Sequence, residues 1–182
     1  MLQIRHLGAA VALLATMSLA MASVASAHPG QGPWDFDHYW IGTPGDDVYS
    51  AAAESPDTSD LLIGLAGNDN IDGGNKHDVI LGNAGVDAIT GGDGRDLIIG
   101  GLGPDRLAGG EQSDRILGGP GDDGINGQGG RDVILAGSGD DLIIANDGRR
   151  DAISCGPGRD SVKADRRDRI ARDCERVVRV AP

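Results

Sequence analysis

Between residues 64 and 144 the deeply apolar positions return every nine residues: Ile71, Ile80, Ile89, Ile98, Leu107, Ile116, Ile125, Ile134 and Ile143. Two residues before each stands an aspartate: Asp69, Asp78, Asp87, Asp96, Asp105, Asp114, Asp123, Asp132 and Asp141. In front of each aspartate lies a glycine-rich run, clearest in Gly91-Gly92-Asp93-Gly94-Arg95-Asp96 and Gly100-Gly101-Leu102-Gly103-Pro104-Asp105. A period of nine matches neither the 3.6-residue repeat of an amphipathic helix nor the plain alternation of a long strand. It marks a small unit repeated along the chain, too short to bury its own apolar side and dependent on stacking with its neighbours.

Each unit has two parts. The glycines permit the positive-φ backbone of a tight loop. The residues after the aspartate, as in Asp96-Leu97-Ile98-Ile99, are apolar and β-favouring and predict a short strand. Side chains alternate along a strand, so the aliphatic at position eight points to one face, and stacked units would bury a column of Ile and Leu. The fold class expected is all-β, a parallel β-roll or β-helix solenoid. A glycine-rich linker would not place an aliphatic at every ninth residue.

The ladder decays at both ends. Residues 42–50 form a first unit, residues 51–54 break the register, and residues 55–63 restore it with Asp60 and Leu62 in phase but without glycines. Beyond Ile144, residues 145–154 make a ten-residue unit with Asp151 and Ile153 in role, and residues 155–163 make one more. The repeats thus cover 42–163, regular over 64–144 and irregular over 42–63 and 145–163. Residues 1–27 have a basic start, an apolar stretch and an Ala25-Ser26-Ala27 ending, which read as a secretory signal peptide cut after Ala27. No other apolar run could span a bilayer, so a secreted, extracellular product with no membrane span after cleavage is expected. Residues 28–41 hold four of the five aromatics, Trp34, Phe36, Tyr39 and Trp40, and are expected to cap the first coil. Residues 164–182 are arginine-rich and are expected to cap the last.

Charge changes the picture. Of 28 acidic residues 25 are Asp, and loss of Arg5 with the signal takes the formal charge from −12 to −13. Such a surface disfavours nucleic acid as a partner. A chain this acidic, glycine-rich and poor in aromatics would be disordered unless something neutralised the acid. Asp forms turns of its own, but tight carboxylate loops closing on a hard cation explain the bias more fully. The charge is also uneven: residues 28–148 sum to −17, whereas residues from Arg149 onward sum to +4. The basic end complements the acidic stack, or offers a site to an anionic cell-surface ligand.

The glycine-rich nonapeptides resemble the RTX, or haemolysin-type, calcium-binding repeat family. That resemblance implies two nonapeptides per turn of a parallel β-roll, loops along two edges, and several Ca2+ ions held between stacked loops. The implied ligands are the side chains of Asp69, Asp87, Asp105, Asp123 and Asp141 on one edge and of Asp78, Asp96, Asp114 and Asp132 on the other. Loop carbonyls near Gly67, Gly85, Gly94, Gly103, Gly121 and Gly139 would complete the shell. Carboxylates one coil apart, about 4.8 Å, repel by about 0.9 kcal/mol in water and about 3.5 at an effective dielectric of 20. Calcium accepts six to eight oxygens in a flexible shell and suits such loops better than magnesium, which demands a strict octahedron. The edges differ: the first keeps glycine at position four throughout, whereas the second reads Thr58, Lys76, Gly94, Gln112 and Gly130. The second edge is expected to bind calcium less well.

Cys155 and Cys174, the only cysteines, lie nineteen residues apart, one more than a full coil, and are expected to form a disulfide. His28, His38 and His77 are not spaced with them as a zinc site requires.

The expected function is a non-enzymatic, monomeric, secreted calcium-binding protein that folds on binding calcium outside the cell, where modules of this kind bind at about 10⁻⁴–10⁻³ M. Calcium-dependent adhesion to a cell surface or matrix is the alternative, and a repeat-containing hydrolase a weaker one. The repeats fill nearly all of the exported chain, which contains neither an H-E-x-x-H nor a G-x-S-x-G motif. Position seven reads Asn70, Val79, Ala88, Leu97, Arg106, Arg115, Gly124, Val133 and Leu142, without the threonine ladder of an ice-binding face.

Overall fold

A computed structural model describes Phe36 and residues 38–51 and 59–180. The proposed signal peptide, most of the aromatic segment and Thr58 lie outside the described residues. The short apolar runs do form strands, sixteen among the described residues, and these alternate between two parallel sheets. One sheet contains β1 (His38–Ile41), β3 (Asp60–Ala66), β5 (Val79–Ala84), β7 (Leu97–Leu102), β9 (Arg115–Pro120), β11 (Val133–Ser138), β13 (Ala152–Ser154) and β15 (Arg169–Ile170). The other contains β2 (Val48–Ser50), β4 (Asn70–Asp72), β6 (Ala88–Asp93), β8 (Arg106–Glu111), β10 (Gly124–Gly129), β12 (Leu142–Ala145), β14 (Ser161–Asp165) and β16 (Arg176–Val180). Each pair of consecutive strands makes one coil, so the protein is an all-β parallel solenoid of about eight turns.

Register follows the sequence spacing. In the regular region, partners are eighteen residues apart, as in Ile80↔Ile98 and Ile89↔Leu107. The four extra residues before residue 55 widen the first step, so that Tyr49 faces Ile71 and Trp40 faces Leu62. The ten-residue unit near the other end pairs Ile134 with Ile153. Position eight points inward in every coil, and all nine repeat aliphatics are at most 2 % exposed. Tertiary packing therefore comes from two facing columns of Ile and Leu, each side chain contributing about 1.5–3 kcal/mol by burial.

The ends of the columns change chemistry. Trp40 and Tyr49 stack at 5.0 Å between ring centroids, one from each sheet, inside the first described coil. At the other end the basic tail enters the solenoid: β14 continues to Asp165, and β15 and β16 are the last strands of the two sheets. Cys155 is fully buried in this last region and is bonded to Cys174, with Cα atoms 5.2 Å apart.

Candidate metal centre

The repeat aspartates stand where the loops turn into strands, and they do not face water. Asp69, Asp78, Asp87, Asp96, Asp105, Asp114, Asp123, Asp132 and Asp141 are all 1–2 % exposed. Their first job is structural. Each Oδ1 accepts a hydrogen bond from the backbone N–H of the aspartate one coil earlier: Asp87 N to Asp105 Oδ1 at 2.9 Å and Asp105 N to Asp123 Oδ1 at 2.8 Å on one edge. The other edge repeats this with Asp78 N to Asp96 Oδ1 and Asp96 N to Asp114 Oδ1, both at 2.9 Å. Side chain and backbone therefore form a continuous ladder along each edge, satisfying N–H groups that the loops would otherwise leave unpaired.

The second oxygen is different. From Asp69 through Asp160, the Oδ2 of every ladder aspartate is buried without a hydrogen-bond partner. A row of such atoms breaks the general rule that buried polar groups are satisfied and calls for a ligand or a proton. From Asp69 to Asp132 each Oδ2 lies against the glycine that opens its loop; Ala136, Ala145 and Cys155 stand there for Asp141, Asp151 and Asp160. A Cβ placed on Gly100 would meet Asp105 Oδ2 at 2.4 Å and the Gly118 carbonyl oxygen of the next coil at 2.9 Å. On the other edge, a Cβ on Gly109 would meet Asp114 Oδ2 and the Gly127 carbonyl oxygen, each at 2.6 Å. From Asp69 to Asp123 a carboxylate oxygen and a main-chain oxygen of the next coil thus both lie close to the opening glycine.

Burial without a partner disfavours the ionised carboxyl. Desolvation is the largest cause and raises Asp105, Asp96 and Asp132 to about 6, Asp123, Asp114 and Asp151 to about 7, and Asp78 to about 8. The backbone N–H donor pulls each the other way, and neighbouring carboxylates add to the rise for most of them. Asp69, Asp87 and Asp141 shift in the same direction for the same first cause.

Three of the four ladder ends are satisfied by hydrogen bonds within the protein. Asp47 Oδ2 accepts from Thr43 N at 2.6 Å and from its Oγ1 at 3.1 Å. On the second edge the ladder closes on Asp168, whose two oxygens accept from Asp151 N at 3.1 Å and Asp165 N at 2.6 Å. On the first edge it closes on Glu175, whose Oε2 accepts from Asp160 N at 2.9 Å. Asp168 and Glu175 were not among the site residues expected from sequence, because the repeat phase drifts in the tail; only the structure aligns them.

The two edges share the same carboxylate geometry and differ at position four. On the first edge the backbone there comes so close to the preceding coil that a Cβ on Gly103 would lie 1.9 Å from the Gly85 carbonyl oxygen. On the second edge Lys76 and Gln112 occupy this position with φ of 77° and 80°, conformations that side-chain-bearing residues resist. Position two also needs positive φ, and Leu65, Asn83 and Gln128 adopt it without being glycine. Glycine at position two of the other six regular repeats (Gly74, Gly92, Gly101, Gly110, Gly119 and Gly137) meets the same requirement.

The donor set fits a hard cation served mainly by main-chain oxygen. Among the described residues no three His, Cys, Asp or Glu side chains group to hold a metal, so one Oδ2 per aspartate must be joined by carbonyls such as those of Gly118 and Gly127. Calcium accepts such a mixture, whereas zinc requires nitrogen or sulfur ligands at tetrahedral spacing. When bound, the ion supplies the positive charge that lets the buried carboxylates ionise together.

Fold and site together define the class of parallel β-rolls whose edge loops present oxygen to a cation. A model of the RTX calcium-binding nonapeptide repeat, four copies long, matches residues 57–89, 72–107, 90–125, 99–134 and 126–149. The chain belongs to this family of calcium-binding repeat proteins. No curated protein and no solved structure matches it.

Proposed function

We propose that the protein is an exported, non-enzymatic calcium-binding roll whose folding is completed by the ion outside the cell. The observation that carries this reading is the unbroken row of buried, unpartnered Oδ2 atoms from Asp69 to Asp160, those up to Asp123 near a main-chain oxygen of the next coil. The ladder aspartates Asp69, Asp78, Asp87, Asp96, Asp105, Asp114, Asp123, Asp132 and Asp141 supply the side-chain ligands. Residues 1–27 direct export, the aromatic segment up to Ile41 closes the first coil, and the tail with its Cys155–Cys174 bond closes the last. Inside a cell, where calcium is scarce, the acidic chain remains open; outside, calcium at about 10⁻⁴–10⁻³ M closes it. The exported form is a monomer in this reading.

Expression in a secreting host tests it. The protein recovered from the medium should begin at His28 and should lose its β signal in circular dichroism when calcium is chelated. A product retained in the cell with residues 1–27 attached, or one that keeps its β spectrum in chelator at neutral pH, contradicts the proposal.

A further inference from the structure

An irregular coil in the C-terminal half, one residue longer than the regular repeat, creates a second site of opposite charge. Register is eighteen residues at Asn126↔Ile144 and nineteen at Val133↔Ala152, so the extra residue lies in the intervening loop. That loop, with Asn146, Arg149 and Arg150, walls a groove of about 960 Å³ on the outside of the solenoid. The floor and opposite wall come from the loops of the two preceding coils, and Arg167 reaches in from the following turn.

Four arginines line this groove, namely Arg131, Arg149, Arg150 and Arg167, in a protein of net charge −12. All four are exposed, and among the described residues none forms an ion pair. Arg179, by contrast, spends its guanidinium on the carbonyl of Asp165, at 2.6 Å. The groove's two acids, Asp147 and Glu111, offset two of these four charges and leave a net of +2. Asp147 accepts from Gly130 N at 2.8 Å and Arg149 N at 2.7 Å, so both its oxygens hold the loop in shape. Glu111 comes from the preceding coil, its carboxylate beside Gly129.

A ligand that answers this excess of positive charge is an anion. The arginines come from three successive turns, which suits a linear chain more than a single small anion. We propose that this groove binds an acidic polysaccharide, its carboxylate or sulfate groups held by Arg131, Arg149, Arg150 and Arg167. Guanidinium groups suit both kinds of anion, because their planar fork pairs two oxygens at once. The ladder carboxylates take no part, so the site is separate from the calcium loops.

The test uses the mature, disulfide-bonded chain in calcium, titrated calorimetrically with hyaluronate and with dextran sulfate. Neutral dextran and single-stranded DNA serve as comparisons. At least one acidic polysaccharide should bind, more weakly as salt rises, and the better binder tells carboxylate from sulfate recognition. The pair Arg149→Ala/Arg150→Ala and the pair Arg131→Ala/Arg167→Ala should each weaken binding by about tenfold or more, the loss of two charge-assisted contacts. Arg159→Ala/Arg176→Ala, exposed beside the loops of the opposite edge and outside the groove lining, should leave it within about twofold. Calcium-dependent circular dichroism of every variant should match the parent, which keeps this test distinct from that of the calcium reading. Absence of binding to both acidic chains, binding unchanged in the groove variants, or equal binding of DNA or neutral dextran overturns the proposal.

Discussion

At the scale of the residue, each ladder aspartate serves two masters: Oδ1 holds the backbone of the coil before it, and Oδ2 waits for charge. Asparagine at the same place separates the roles. Asp105→Asn keeps an acceptor for Asp87 N but offers no anionic oxygen, so it should remove bound calcium while leaving the coil able to stack. Asp105→Ala removes the acceptor too and should cost about 1–3 kcal/mol more, the penalty of a buried unpaired N–H. Calcium binding and unfolding measured on both variants decide the matter; equal stability of the two would refute the structural role of Oδ1. Proton binding follows from the same geometry. The carboxyls titrate near 3.8 in an open chain and at about 6 to 8 in the roll for Asp105, Asp114, Asp123 and Asp78. A raised folded value means that the native state holds protons the open chain has released. The stabilisation is complete below about pH 4 and drains away as pH climbs through about 6 to 8. Metal-free protein should therefore show more β structure at pH 5 than at pH 8, and the calcium needed to half-fill the sites should rise on acidification because protons compete for Oδ2. Metal-free protein better folded at pH 8 would contradict this.

At the scale of the element, the loop–strand unit was largely legible in the sequence, and the reasons are physical. Ile at position eight and Asp at position six must be buried in every coil, so no substitution drifts in without cost and the phase stands out. Positive φ at position two is less visible, because Asn83, Gln128 and Leu65 can adopt it at about 1–2 kcal/mol each. The ladder's ends were hidden for another reason: Asp168 and Glu175 reach their places through coils of irregular length, as the Ile153↔Ile170 and Val162↔Val177 registers record. The expected inequality of the two edges stays a proposal with a narrower basis, position four alone. Lys76→Gly and Gln112→Gly should relieve that strain and lower the calcium midpoint of folding, whereas Asp105→Ala should lose more bound metal than Asp114→Ala. Equal losses would argue that the edges are equivalent. Strand packing makes its own prediction: Ile116→Ala, at a fully buried site in the middle of its column, should cost about 2–5 kcal/mol and raise the calcium midpoint. An unchanged midpoint would mean that the columns contribute little.

At the scale of the whole molecule, the solenoid is a stack of units none of which is stable alone, closed at its ends by groups that need no ion. Thr43 satisfies Asp47 at one end, and Asp168, Glu175 and the buried disulfide finish the other. Between these ends the acid accumulates, with −17 over residues 28–148, and the fold cannot hold it all ionised without a counter-charge. Folding and calcium binding should then be one process. The direct measurement is a calcium titration of the metal-free mature protein at pH 7.5, followed by far-ultraviolet circular dichroism, with bound calcium counted in parallel by equilibrium dialysis. The account predicts an open chain at the start and a cooperative gain of β structure that coincides with the uptake of several ions. A roll already formed before calcium is added, or one that folds without taking up calcium, would contradict it.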